Sequence, residues 1–124
     1  MSCYQRAMLR RQMAHALRAL GGTEWVVRRD EKDLNGIPTG ETVTICSLLG
    51  VRYTKASQIA SLAMDIPGVT AGGGRVPRFI GIASGGAPQA GDWIARADGT
   101  GREHVLTAEA YLGVTYMTLA GDDA

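Results

Sequence analysis

The chain predicts a mainly β protein: a small antiparallel β-barrel or sandwich, led by one α-helix and carrying a long inserted loop. Three observations carry this. From Val76 to Ala120, short apolar or alternating runs are divided by glycine-rich turns, Gly85-Gly86-Ala87-Pro88-Gln89-Ala90-Gly91-Asp92 and Gly99-Thr100-Gly101. The 17 glycines gather at such turns without a fixed period, which excludes a collagen-like or linker composition. A convincing 3.6-residue apolar period occurs only before Gly21. At 124 residues the expectation is one domain, long enough to bury a core unaided.

Residues 3–20 predict the helix. Leu9, Met13, Ala16, Leu17 and Leu20 form one apolar stripe expected to pack on the barrel, with Arg11, His15 and Arg18 on the opposite face. Gly21-Gly22 supplies the stop. The barrel is expected over residues 24–120. Glu24 to Arg29 reads as a strand with Trp25 and Val27 on one face and Val26 on the other. Asp33 to Gly40 is turn material around Asn35-Gly36, so the strand Glu41 to Tyr53 pairs back on the first. In that second strand Val43 and Ile45 face one way, and Thr42, Thr44 and Cys46 the other.

Residues 55–74 are the inserted loop. Lys55, Ile59, Leu62 and Met64 fall in a stretch able to form a short helix, and Gly72, Gly73 and Gly74 close it. A segment this long inside a compact domain is either functional or a helical crossover closing the barrel. Four strands follow: Val76 to Ser84, Asp92 to Asp98, Arg102 to Ala110 and Val114 to Ala120. Both faces of the last are apolar, so one is expected in the core and the other against the helix or another chain.

The formal charge of +1 excludes strong electrostatic capture of nucleic acid by the whole chain. Its distribution is uneven. Residues 1–23 carry Arg6, Arg10, Arg11 and Arg18 and no acid, whereas residues 103–124 carry Glu103, Glu109, Asp122 and Asp123 and no Lys or Arg. Copies of such a chain can pack head to tail, with Arg6, Arg10, Arg11, Arg18, Asp122 and Asp123 as candidate assembly contacts; the alternative is two solvated ends.

Cys3 and Cys46 have no metal spacing and read as buried hydrophobes or free thiols of a reducing compartment. No apolar run approaches a membrane span, and arginines break any secretory core at the N-terminus, although an amphipathic mitochondrial presequence has similar composition. Gly72-Gly73-Gly74-Arg75 lacks the Gly-Lys-Ser/Thr of a phosphate loop. Ser84 falls one place late for a G-x-S-x-G elbow, and His15 and His104 lie in different kinds of element. Neither a catalytic set, a metal site nor a cofactor is therefore expected. A barrel binding single-stranded nucleic acid is the alternative function. It would use Arg75, Arg78, Arg96 and Arg102 with platforms among Trp25, Trp93, Phe79 and the tyrosines.

Four stretches carry a family resemblance: Trp25-Val26-Val27-Arg28-Arg29, Pro88-Gln89-Ala90-Gly91-Asp92-Trp93-Ile94, Asp98-Gly99 and Val114-Thr115-Tyr116-Met117-Thr118-Leu119. In the order of its elements, over about three-quarters of its length, the chain resembles the small head–tail connector proteins of tailed bacteriophages and prophages, the stoppers, adaptors and joining proteins of the neck. Their opening strand of type V-x-x-R-R leads to a second strand and a long loop, then to P-Q-x-G-D-x-I, a D-G turn and two closing strands. The helix from Cys3 departs from the minimal stopper barrel; tail-completion proteins open with one.

The resemblance implies a non-enzymatic structural subunit of a virion, assembled in the cytoplasm of a bacterial host. Such a subunit packs with copies of itself in a ring between portal or adaptor and tail proteins, contacting no membrane. DNA passes through the lumen without being read. By position, residues 55–74 would be the channel loop. Ring contacts are expected from exposed strand edges and the charge asymmetry.

Overall fold

The computed structural model describes residues 3–54, 76–111 and 113–121, the backbone alone for residues 3–6 and Tyr111. Helix α1 (Cys3–Ala19) precedes six strands: β1 (Thr23–Lys32), β2 (Pro38–Tyr53), β3 (Arg78–Gly85), β4 (Trp93–Arg96), β5 (Glu103–Tyr111) and β6 (Val114–Leu119). All neighbours are antiparallel, and the order β1-β2-β3-β6-β5-β4 closes on itself through β1 and β4. The expected fold class is therefore observed, as a closed barrel. Loop 55–74 falls outside the described residues.

Two apolar layers hold the fold. Inside the barrel, Trp25, Val27, Cys46, Leu48, Phe79, Ile94, Val105, Met117 and Leu119 are buried together. Phe79 meets Trp25 edge to face, with centroids 5.3 Å apart at 77°. The Phe79 ring lies across Gly50 and Gly81, which face each other in the β2–β3 ladder. A Cβ on Gly81 would stand 2.8 Å from Phe79 Cε1 and 2.7 Å from the Leu49 carbonyl oxygen, so a side chain here collides with ring and backbone.

Outside the barrel, α1 covers one flank. Leu17, fully buried, packs with Tyr53, Ile80, Ile82 and Val114, and Met13, Ala16 and Leu20 lie against them. The second apolar face of β6 is thus occupied by the helix, one of the two outcomes its pattern allowed. The helix ends as Gly21 takes a φ of +84°. The amides of Gly21 and Gly22 donate to the carbonyls of Arg18 and Leu17 at 3.0 and 2.8 Å. This interlocked pair satisfies two carbonyls at the helix end, and it requires the left-handed backbone that glycine adopts freely.

Three details differ from the sequence reading. Leu9 does not pack with the rest of its stripe: it is 39 % exposed and stands apart from the cluster around Leu17. Cys46 does not share a face with Thr42 and Thr44. Val27 pairs with Cys46 but Arg28 pairs with Thr44, so Ile45 is an extra residue in β2. That bulge turns Cys46 into the core and leaves both threonines outside. Finally, the turn is shorter than Asp33 to Gly40. It spans residues 33–37, where Gly36 has φ +77° and the Ile37 and Asn35 amides donate to the Asp33 carboxylate. Pro38, Thr39 and Gly40 belong to β2.

Candidate assembly surface

β1 and β2 run past the end of the barrel as a two-stranded arm. β1 pairs with β4 only through residues 25–28, and β2 pairs with β3 only from Cys46 onward. From Arg29 to Ile45 the two strands therefore have each other and, among the described residues, no strand on either outer edge. From residue 29 to 45 the carboxylates of Asp30, Glu31, Asp33 and Glu41 outnumber the cations Arg29 and Lys32, so the arm is acidic. Leu34 at its tip is fully exposed, Ile37 59 % and Val43 43 %. Unpaired edges and exposed large apolar side chains on one projection are features of a surface that receives another chain.

The arm is braced at its root. Arg29 donates from Nε to Asp92 Oδ1 at 2.8 Å and from Nη2 to Oδ2 at 3.0 Å. Asp92 is 2 % exposed and also accepts from the Gln89 amide at 2.8 Å. The V-V-R-R stretch and the P-Q-A-G-D stretch, far apart in sequence, are thus two halves of one clamp. The carboxylate folds the loop before β4 and fastens it to β1 through a planar two-bond contact that lysine does not reproduce. The bonds to Asp92 hold the Arg29 guanidinium pKa above its usual range. Next to the clamp, burial pushes the Cys46 thiol up, and the negative charge of Asp92 adds to the effect.

Arg28 faces outward. It donates to the Thr42 and Thr44 hydroxyls at 2.8 and 3.1 Å and to the Thr42 carbonyl at 3.1 Å, knitting the arm's outer face. A second clamp closes the other end of the barrel. Arg52 meets Glu103 at 2.6 Å (Nε to Oε1), and Glu103 Oε2 accepts from the Gly121 amide at 3.0 Å, which ties the chain after β6.

Among the described side chains, the aromatic residues do not form a row of open rings. Trp25 and Phe79 are core, and Tyr53 is buried under α1. Burial raises the Tyr53 hydroxyl pKa, with Arg78 acting in the opposite sense. Trp93 is partly exposed, but His104 lies 3.4 Å from its ring centroid and the Arg102 guanidinium 3.9 Å. A cation and a second ring thus both lie against the Trp93 indole. Its Nε1 donates to Asp30 at 3.2 Å. Arg96 stands 5.6 Å over the Trp25 ring.

The other residues singled out from sequence fall as follows. Arg10, Arg11 and Arg18 are exposed on α1, and Arg10 Nη2 donates to the Ala83 carbonyl at 3.0 Å. The Arg6 side chain, Asp122 and Asp123 lie outside the described residues. So do Lys55, Ile59, Leu62, Met64, Gly72, Gly73, Gly74 and Arg75. His15 is exposed on α1, while Ser84 lies on β3 opposite Ser47. Among the described residues no three His, Cys, Asp or Glu side chains gather as metal ligands, and no helix is long and apolar enough to cross a membrane.

Together, fold and surface define a helix-capped, six-stranded closed barrel with a braced acidic arm. No family model, curated protein or solved structure matches the chain.

Proposed function

We propose that the protein is a structural, ring-forming subunit of the head–tail connector of a tailed phage or prophage. The arm carries the reading: two strands leave the barrel with unpaired edges and an apolar tip, which fits a subunit made to contact other chains. The resemblance names the assembly. The Arg29–Asp92 clamp adds support, because it gives both resembling stretches one mechanical task, bracing the arm against the barrel. Copies in a ring, portal or adaptor proteins, tail proteins and passing DNA are the partners in this reading, and the virion is its location.

The expected behaviour is a monomer or weak oligomer alone and a ring with the portal or tail proteins encoded beside it. Size-exclusion chromatography with light scattering, with and without those proteins, reads this directly. A tight dimer indifferent to them sinks the proposal, as do neighbouring genes unrelated to capsid or tail.

A further inference from the structure

The charge pattern of the sequence suggested basic N-terminus against acidic C-terminus. The structure offers another acidic partner for the arginines of α1. Between the first half of α1 and the barrel runs a groove of about 410 Å³, with Arg10 and Arg11 on its helix side and Leu49, Ile82 and Ser84 on its strand side. Arg11 makes no hydrogen bond or ion pair among the described residues, and Arg10 spends one donor on the Ala83 carbonyl. Met8 and Leu9, on the same half of the helix, remain about 40 % exposed. The groove thus offers Leu49 and Ile82 beside Ser47 and Ser84 on its strand side and two cations on its helix side, and Glu24 is the only acid in its lining.

The arm has the complementary make-up, with Leu34 and Ile37 at the tip and Glu31 and Glu41, neither in an ion pair among the described residues, behind it. It cannot serve its own groove. Ile37 lies ten residues from Ser47 along β2, roughly 30 Å of extended strand, and the hairpin ladder points it away. Reaching back would break that ladder.

We infer that the arm of one copy docks in the α1–barrel groove of the next, Leu34 and Ile37 entering against Leu49 and Ile82 while Glu31 and Glu41 meet Arg10 and Arg11. Donor and acceptor surfaces differ, so the contact is head to tail and repeats from copy to copy; closed, it makes a ring. It deepens the connector reading and rests on it for the ring itself. Its charged rim makes it sensitive to salt.

Cysteine trapping tests it in a Cys3→Ser background, mixing a Leu34→Cys protein with a Ser84→Cys protein under mild oxidation. The 34–84 bridge is expected at a yield roughly tenfold or more above a Leu34→Cys plus Thr100→Cys pair, which reports random collision. Arg10→Glu with Arg11→Glu on the groove copy should remove that excess, and Glu31→Lys with Glu41→Lys on the arm copy should restore it. Equal yields for the two pairs overturn the inference, as does an excess indifferent to charge reversal. Should the groove variant unfold, Ile37→Ser in the arm copy replaces it; Ile37 is exposed, and its loss must cut the 34–84 yield. Rings that form with a neck partner but lack the bridge remove this contact alone. A strong bridge in a protein that assembles with no neck partner removes the connector reading and keeps the contact.

Discussion

β1 and β2 live in two environments. Within the barrel each strand has two hydrogen-bonded neighbours, and its inward side chains, Trp25, Val27, Cys46 and Leu48, lie among other apolar groups. A few residues on, the same strands have only each other, and their large apolar side chains face solvent. A lone two-stranded ribbon is marginal in water, so the arm depends on its bracing: Arg28 across its face, Arg29 at its root and the Asp33 turn at its tip. The comparison separates two uses of extended chain. The body is held by burial, whereas the arm is held by polar contacts that leave its apolar residues available.

The sharpest way to test that division is to empty the body. Phe79 touches Trp25 and covers the Gly50–Gly81 seam, so Phe79→Ala should cost about 3–5 kcal/mol. Urea unfolding followed by tryptophan fluorescence measures it; a loss below ~1 kcal/mol would mean the barrel interior is not the source of stability. Gly81→Ala approaches the same seam from the opposite direction. Its added methyl meets ring and carbonyl, and overpacking of this kind costs about 1–3 kcal/mol.

Two adjacent arginines then distinguish the root of the arm from its face. Arg29→Ala leaves the nearly buried Asp92 with only the Gln89 amide and should cost about 2–3 kcal/mol, less than a wholly buried pair because Arg29 itself is one-third exposed. Arg28→Ala removes exposed bonds to two threonines and should cost about 0.5–1 kcal/mol. Equal losses for the two would erase the distinction between clamp and surface lacing.

How far the sequence showed this division depends on the residues. The helix stop at Gly21-Gly22, the Asn35-Gly36 turn and the inward pair Trp25 and Val27 were legible because each rests on local chemistry or a short period. The arm was not. Pro38-Thr39-Gly40 has the composition of a turn, yet Pro38 costs a strand nothing where its missing N–H would face solvent, and Gly40 with φ +88° suits a bulge. The bulge at Ile45 left no mark either, since it demands no particular residue. Both halves of the Arg29–Asp92 clamp stood out as motifs. Their meeting depends on β1 pairing with β4, a long-range register that no window of sequence contains. The indole held by Arg102 and His104 was hidden for the same reason.

Buried ionisable groups add a probe that should respond only to the body. Burial raises the Tyr53 pKa, so the folded state keeps the proton to higher pH than the unfolded chain does. Tyr53 therefore contributes stability that is complete below its ordinary value near 10 and lost as pH rises through the raised one. Unfolding free energies at pH about 9 and about 11 should diverge in the native protein and less in Tyr53→Phe. A matching slope in both assigns the alkaline loss elsewhere.

The smallest expected effect on stability falls at the tip of the arm and decides most about its purpose. Leu34 contributes no buried surface to the monomer, so Leu34→Ser should change its unfolding free energy by no more than about 0.5 kcal/mol. A leucine kept only for its own fold would sit under cover, and one that solvates without consequence would be neutral in every assay. The same substitution should weaken ring formation with neck partners, read by light scattering at fixed concentration, because the tip supplies the apolar end of the copy-to-copy contact. Neutral stability with lost assembly places the work of Leu34 between molecules. Neutral in both, the arm would be a solvated extension of the barrel, and the contrast with the body would carry no functional weight.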